Sequence, residues 1–421
     1  MYDLSFSKRS LETSFEKRDL SGISSANHAS FKSTILAAAE ISAQTKFETA
    51  TPLLGQFPLK GKTIFHFLAL EHEIVARKLC ENIKKTNRIP TKGRSEIVSS
   101  LRLLLKEGVP FRVYRLDISS FYESFMKADI MGMVDSLHRL SPHSKILMRE
   151  LLEAHTSLGG SGVPRGLSVS AALSNLMMRD FDHSMKNSAE VFFYARYVDD
   201  IIMLTSCRED PVAHIRQTEK NLPRGLRLNP SKKEIIEVRS PVSPRGSADA
   251  KVCLFKFSYL GYEFIAYEPV KSRSKKDGSL FRDVTTDIAS KKIQRIKTRI
   301  SRSFHEFSRT NNFILLRDRI KFLTMNFGIY NAKAGGKKLA GIYHSYPLVS
   351  NDAPGLKHLD DFLRNAILSK TGRLNSSSAP MLSAQRRQEL MACSFVKGHS
   401  EKRFVYFSGI RLKEIQKCWA H

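Results

Sequence analysis

Two aspartates stand side by side in FFYARYVDDIIML, residues 192–204, with apolar residues on both sides. An unpaired carboxylate among such residues is costly to bury, so Asp199 and Asp200 need a reason to be there. Divalent cations supply one. Magnesium takes hard oxygen ligands. Two such ions about 3.5–4 Å apart can activate an attacking hydroxyl and stabilise the leaving oxygen in phosphoryl transfer. The carboxylates must be held rigidly, and a third must face them from a neighbouring strand. Asp117, at the end of the β-branched and aromatic run PFRVYRLDI (110–118), is the candidate.

The elements that must position these acids follow from pattern. VFFYA and DIIML read as two short strands joined at the acids, a hairpin. Residues 110–118 read as a strand beside them. A helical pattern runs through 63–85, with Phe65, Leu68, Leu70, Ile74 and Leu79 near helical spacing, and another over 96–106. LGGSGVPRGLSVS is a glycine-rich loop, and ALSNLMMRDFDHSMK is a helix after it. LFKFSYLGYEFIAY reads as a second hairpin. Residues 1–60 read as an irregular or partly helical extension. PVSPRGSADAK (241–251) and the basic VKSRSKKDGSLFRD read as loops. Long helices are expected from about 288 to 346, among them DIASKKIQRIKTRISRSFHEF. There Ile293, Ile296, Ile300, Phe304 and Phe307 share a face, and Lys291, Lys292, Arg295, Arg299 and Arg302 cover the rest without an acid until Glu306. A one-signed face of this kind suits a phosphate backbone.

Composition agrees. The chain has 421 residues, with 68 Lys and Arg against 41 Asp and Glu, a net charge of +27. A folded chain so basic repels itself unless a polyanion is near, and nucleic acid is the usual one. No apolar run approaches the ~20 residues of a membrane helix, and no secretory h-region is visible, so no membrane partner is expected. Cys80, Cys207, Cys253, Cys393 and Cys418 are scattered and odd in number. That pattern argues for a reducing cytoplasm and against a zinc site or a disulfide framework.

In this order the motifs resemble the reverse transcriptases. YVDD (197–200) is similar to their catalytic hairpin, and RLDISSFYESF to the preceding palm motif. SGVPRGLSVSAALSN is similar to their glycine-rich loop, matching at Gly162, Pro164 and Gly166, with Arg165 where the family commonly has Gln. GLRLNPSKKEI resembles the next motif, with Lys232 at the best spacing and Lys233 beside it. FSYLGYEF resembles the primer grip, through Leu260 and Gly261. RIPTKGRSEI supplies Arg88, Lys92 and Arg94 as basic fingers residues. The likeness spans about 88–264.

The resemblance implies an α+β right-hand polymerase with fingers, an antiparallel-sheet palm and an α-helical thumb. Its divisions are an N-terminal extension at 1–60, fingers at 61–110 with part of 130–165, palm at 111–285, thumb at 286–350 and an extension at 351–421. It implies RNA-directed DNA synthesis with two Mg2+ ions, for which Mn2+ can substitute. Asp117, Asp199 and Asp200 are then catalytic and metal-holding, with Ile118 among the metal ligands. Tyr122 becomes a steric wall against a 2′-hydroxyl. Arg165, Gly166, Lys92, Arg94 and Lys232 contact the nucleotide. The implied partners are an RNA template, a DNA product and dNTPs. GVPFRVYRLDISSFYESF and GIYHSY are most similar to one subunit of prokaryotic defence systems that pair two reverse transcriptases with a non-coding RNA. That implies a structured RNA, a second polymerase subunit and a cytoplasmic antiphage role, with self-association also open. A template-independent polymerase on the same palm and a non-catalytic RNA-binding scaffold are the alternatives.

Overall fold

Asp117 to Asp200 is a separation of some eighty residues, and an antiparallel sheet closes it. The computed structural model describes residues 2–20, 22–89, 93–238, 253–267, 281–331, 336–368 and 381–419. Lys92, the loop at 241–251 and most of the loop at 270–283 lie outside them. The chain divides into two units, Met1–Lys92 with Pro110–Arg239, and Gly93–Val109 with Ser240–His421.

The first unit contains β1 (Leu54–Leu59), β2 (Lys62–Phe67), β3 (Phe111–Asp117), β4 (Val191–Tyr197), β5 (Asp200–Thr205) and β6 (Glu234–Val238). β3–β6 form an antiparallel sheet in the order β4-β5-β3-β6. β3 and β5 are central and almost wholly buried, which is why they read as apolar runs rather than alternations. Tyr114, Leu116, Ile201 and Met203 share one core with Leu147, Leu151, Leu173 and Phe181 from the helices Pro142–Ser157, Ser170–Met177 and Arg179–Lys186. The single helix expected after the glycine-rich loop is thus two, meeting at Met178.

Residues 1–60 are more ordered than their composition suggests. The helix His28–Gln44 packs on Leu70–Asn87. The buried Arg77 donates to Asp19 at 2.7 and 3.0 Å and to Glu73 at 2.6 Å, and Lys78 Nζ reaches the carbonyl of Asp3 at 2.6 Å. These bonds tie the N-terminal segment into the first unit.

The second unit contains β7 (Cys253–Tyr259), β8 (Tyr262–Tyr267) and β9 (Asp283–Ile288), an antiparallel sheet in that order, and the hairpin β10 (Asn326–Asn331) with β11 (Gly336–Gly341). The basic helix is Ser290–Thr310. It packs on Phe313–Thr324 and on Gly355–Leu368. Two sequence expectations differ here. The region 288–346 is not all helical, because β10 and β11 interrupt it. Buried Asn326 anchors β10, its side-chain amide donating to the carbonyls of Gly398 and Arg403. The segment 93–109, expected with the fingers, clusters instead with the second unit. The Arg282 guanidinium donates to the carbonyls of Glu107, Gly108 and Val109, which stitches the segment to the start of β9.

Candidate active site

β3 leaves the core at Asp117, and its cross-strand partner is Asp200, the first residue of β5. Val198 and Asp199 form the two-residue turn between β4 and β5. The amide of Ile118 donates to the carbonyl of Asp199 at 3.1 Å, so the turn is bonded to the chain just beyond Asp117. Sheet register therefore brings the three acids to one end of the buried strands.

Asp117 is only 6% exposed. Its carboxylate accepts from Asn229 Nδ2 at 3.1 Å and from Lys232 Nζ at 2.9 and 3.1 Å. The Asn229 amide also donates to the Asp117 carbonyl at 2.7 Å, so the Asn229–Lys232 turn is docked on the end of β3. Burial pushes the Asp199 carboxyl up, and the nearby Asp117 charge adds to it. Burial raises Asp200 too, followed by repulsion from Asp199 and Asp117. Hydrogen bonding to Asp117 raises the Lys232 ammonium in turn.

The donor chemistry fits magnesium: oxygen ligands only, mutually repelling, with an ammonium as the present counter-ion of Asp117. Among the described residues, no three His, Cys, Asp or Glu side chains enclose one ion by themselves. Magnesium is usually held by one or two carboxylates plus waters and substrate phosphates, so a closed protein cage is not what this chemistry requires.

The turn itself is under strain. Val198 has φ +62°, a conformation that suits glycine and is unfavourable for a β-branched residue. What holds it is Arg196. Its Nη1 donates to the Val198 carbonyl at 2.9 Å, and its Nε and Nη2 grip Asp182 at 2.8 and 2.7 Å. Nη2 also reaches Asn175, and the Tyr194 hydroxyl donates to Asp182 at 2.6 Å.

Tyr122 is half-buried, edge-on to Phe121. Its carbonyl accepts from the Val163 amide at 2.7 Å, which brings the glycine-rich loop against it. The Arg165 guanidinium lies 4.9 Å from the centre of the Tyr122 ring and forks onto Glu123 at 2.8 and 3.1 Å. A side chain at Gly166, φ +107°, would meet the Phe65 carbonyl at 2.5 Å, and the Phe65 amide donates to the Arg165 carbonyl at 2.8 Å. The β1–β2 hairpin therefore lies on the loop. Its turn is Lys60–Gly61, both at positive φ, as a type I′ turn requires. Lys62, Thr63, Glu123, His155 and Arg165 line a cavity of about 250 Å3.

The other expected residues are placed as follows. Arg88 follows the Leu70–Asn87 helix in a left-handed conformation. Arg94 belongs to the second unit. Its guanidinium donates to the carbonyls of Leu260 and Ser345 at 2.7 and 2.8 Å and lies over the rings of Tyr262 and Tyr346. Those bonds support the β7–β8 turn at Leu260–Gly261. Lys291, Lys292, Arg295 and Arg302 are exposed on the basic helix and Arg299 is half-buried. Lys292, Arg295 and Arg299 line a cavity of about 320 Å3 with Phe322, Phe327 and Tyr346. Ile293 and Ile296 are only partly covered, whereas Ile300, Phe304 and Phe307 are buried.

The sequence reading missed Asn229, Lys62, Glu123 and the Asp182–Arg196 pair. An Asn-Pro turn signal marks the first. The hairpin carrying Lys62 is not marked: residues 63–67 read as the start of a helix over 63–85, whereas Lys62–Phe67 is a strand and the helix begins at Leu70. Nothing local marks Glu123 or Asp182, whose partners are distant in sequence.

Residues 112–264 match the sequence profile of the family described as reverse transcriptase (RNA-dependent DNA polymerase). All three acids lie within that segment. Comparison with curated proteins gives no match. Similar solved structures include an apo telomerase from Candida tropicalis truncated from its C-terminal domain, at 14% identity and TM-score 0.34, covering 61% of this chain and 60% of that one. The apo telomerase from the same organism aligns at 12% identity and TM-score 0.37, over 92% of this chain and 69% of that one. The Candida albicans telomerase in complex with a TWJ fragment of telomeric RNA aligns at 12% and 0.34, over 78% and 63%. Among the described residues, no helix is long and apolar enough to cross a membrane.

Proposed function

We propose that this chain is an RNA-directed DNA polymerase. The observation that carries the proposal is the cross-strand pairing of Asp117 with Asp200 at the end of a buried antiparallel sheet, with Asp199 in the adjoining turn. The family match over 112–264 supports it.

Asp117 and Asp199, with the backbone of Ile118, would hold two magnesium ions, and Asp200 would assist; manganese is the expected substitute. Bound there, the metals would supply the charge that activates a primer 3′-hydroxyl and offsets the leaving phosphate oxygens. The chain's own residues do the rest. Lys232 is 57% exposed on its side chain and able to turn from Asp117 toward a triphosphate as a compact point charge. Tyr122 provides a wall where a ribose 2′-hydroxyl would project. Gly166 lets the loop backbone approach the nucleotide. The basic face of the Ser290–Thr310 helix, free of acids as far as Glu306, suits the nucleic-acid backbone, and Leu260–Gly261 the primer end. The wider role we propose is prokaryotic antiphage defence in the cytoplasm, with a structured non-coding RNA and a second reverse transcriptase subunit as partners. The segments GVPFRVYRLDISSFYESF and GIYHSY support it.

The test is primer extension by the purified chain on an RNA template with dNTPs and Mg2+. Asp199→Asn should abolish extension and leave RNA binding nearly unchanged; an unaltered rate removes Asp199 from the mechanism. Extension without template favours a template-independent polymerase. RNA binding with no extension under any condition favours a scaffold. Sequencing the nucleic acid that copurifies identifies template and product together.

A further inference from the structure

Arg165 stands where the reverse-transcriptase motif that the glycine-rich loop resembles commonly has Gln, and the structure shows what the arginine contacts. Its guanidinium forks onto Glu123, Nε to Oε1 at 2.8 Å and Nη2 to Oε2 at 3.1 Å. The same plane lies 4.9 Å from the centre of the Tyr122 ring. Both charged side chains are about 30% exposed or less, so the fork is only partly screened. Glutamine could donate a bond to the Glu123 carboxylate but could neither neutralise it nor lie over the ring as a cation.

Three further contacts fix the geometry around the ring. Phe121 meets Tyr122 edge-on with centroids 5.3 Å apart. The Val163 amide bonds the Tyr122 carbonyl, and a side chain at Gly162 would collide with that carbonyl. The Phe65 amide pins the Arg165 carbonyl from the other side. Arg165 is thus held at its backbone by β2 and at its head by Glu123, and that same guanidinium head lies over the ring of Tyr122.

We infer that Arg165 and Glu123 form a positioning pair that holds the Tyr122 ring in place and so sets how strictly the site excludes ribonucleotides. The inference rests on the polymerase reading. A steric wall discriminates only as far as it resists displacement. A ring able to tilt by a fraction of an ångström yields to a 2′-hydroxyl, whereas a ring backed by a planar, anchored cation does not. Because two guanidinium nitrogens are committed to Glu123, Arg165 acts on selectivity through Tyr122 rather than by gripping phosphate.

The experiment measures kcat/KM for a dNTP and its matching rNTP on one primer–template. The ratio of the two on the same preparation is independent of the fraction of active protein. Arg165→Gln should lower the dNTP preference about tenfold, mainly by lowering KM for the rNTP. Arg165→Lys keeps a point charge but loses the fork and the plane, and should fall with Arg165→Gln. In a Tyr122→Ala background, Arg165→Gln should change the ratio no further. If Arg165→Lys behaves as wild type while Arg165→Gln raises KM equally for both nucleotides, Arg165 is a phosphate ligand and the inference is wrong. An equal effect with and without Tyr122 also overturns it. So does additivity of the two substitutions in thermal unfolding, a readout that needs no activity. A wild-type chain that incorporates neither nucleotide on any template refutes the polymerase reading itself.

Discussion

Replacing Arg196 with Met should weaken the protein and its chemistry together. The Arg196 side chain is 5% exposed and that of Asp182 is 21% exposed. The substitution keeps the apolar stem but removes two bonds to Asp182, one to the Val198 carbonyl and one to Asn175. Asp182 is left with the Tyr194 hydroxyl as its remaining side-chain partner among these bonds. Breaking a buried pair by removing one partner costs about 3–5 kcal/mol. The Val198 turn then loses the bond that offsets its left-handed strain, itself of order 1–3 kcal/mol. These contributions overlap, so the expected loss is about 4 kcal/mol, a fall in Tm of roughly 8–16 °C at about 2–4 °C per kcal/mol.

Thermal unfolding measures this directly, and primer extension reads the effect on the turn. Arg196→Lys should recover part of the stability, because one bond to Asp182 can persist. It should recover little activity, because Lys lacks the second arm that fixes Val198. Asp182→Asn with Arg196→Met should cost less than the sum of the two single changes. A Tm loss below about 3 °C for Arg196→Met, or additivity in the double variant, would show that the pair does not hold the hairpin.

Three other changes test separate parts of the molecule. Lys232→Met removes the counter-ion of Asp117, so the metal-free protein should lose about 1 kcal/mol or less, the lysine being largely exposed. Added MgCl2 should then raise its Tm more than it raises that of wild type; an equal rise would mean that Lys232 does not compete with cations. His155 is buried against Phe65, and burial holds its imidazole down at about 4. The unfolded chain takes up that proton near pH 6.5 and the folded one does not until about 4, so stability should fall as pH drops from 6.5 toward 4. His155→Gln should flatten that part of the pH profile, and an unchanged slope refutes the assignment. Replacing Lys291, Lys292, Arg295 and Arg302 with Gln should weaken nucleic-acid binding at low salt. The salt slope should fall by up to about 0.9 for each phosphate that the helix no longer neutralises. An unchanged slope would place the nucleic acid elsewhere.

What can be read from the sequence is what one stretch of chain determines alone. β3 and β5 are legible because strands buried on both faces are written as unbroken apolar runs ending at acids. The β7–β8 hairpin is legible from Leu-Gly between aromatic strands, and the basic helix from its one-signed face. β1–β2 is not, because its strands are mostly exposed and carry Pro58, so no strict alternation marks them. Nor is the β10–β11 hairpin. NFGIYN continues a helical rhythm, and the buried amide of Asn326 settles the matter by bonding residues more than seventy positions away.

The same distinction runs through the site. Asp117, Asp199 and Asp200 can be proposed from residue type and order, because their chemistry depends on being acids at strand ends. Arg94 cannot be placed, because an arginine at the start of a helix carries no record of its partner. The structure commits it to Leu260, Ser345 and two tyrosine rings, all more than 160 positions away. Arg165 is the instructive middle case. Its departure from the usual Gln is visible in the sequence, but only Glu123, the residue after Tyr122, explains why a charge is tolerated there. A departure from a family pattern at one position is best read as half of a pair, and its partner is found by asking which charge would otherwise go unanswered.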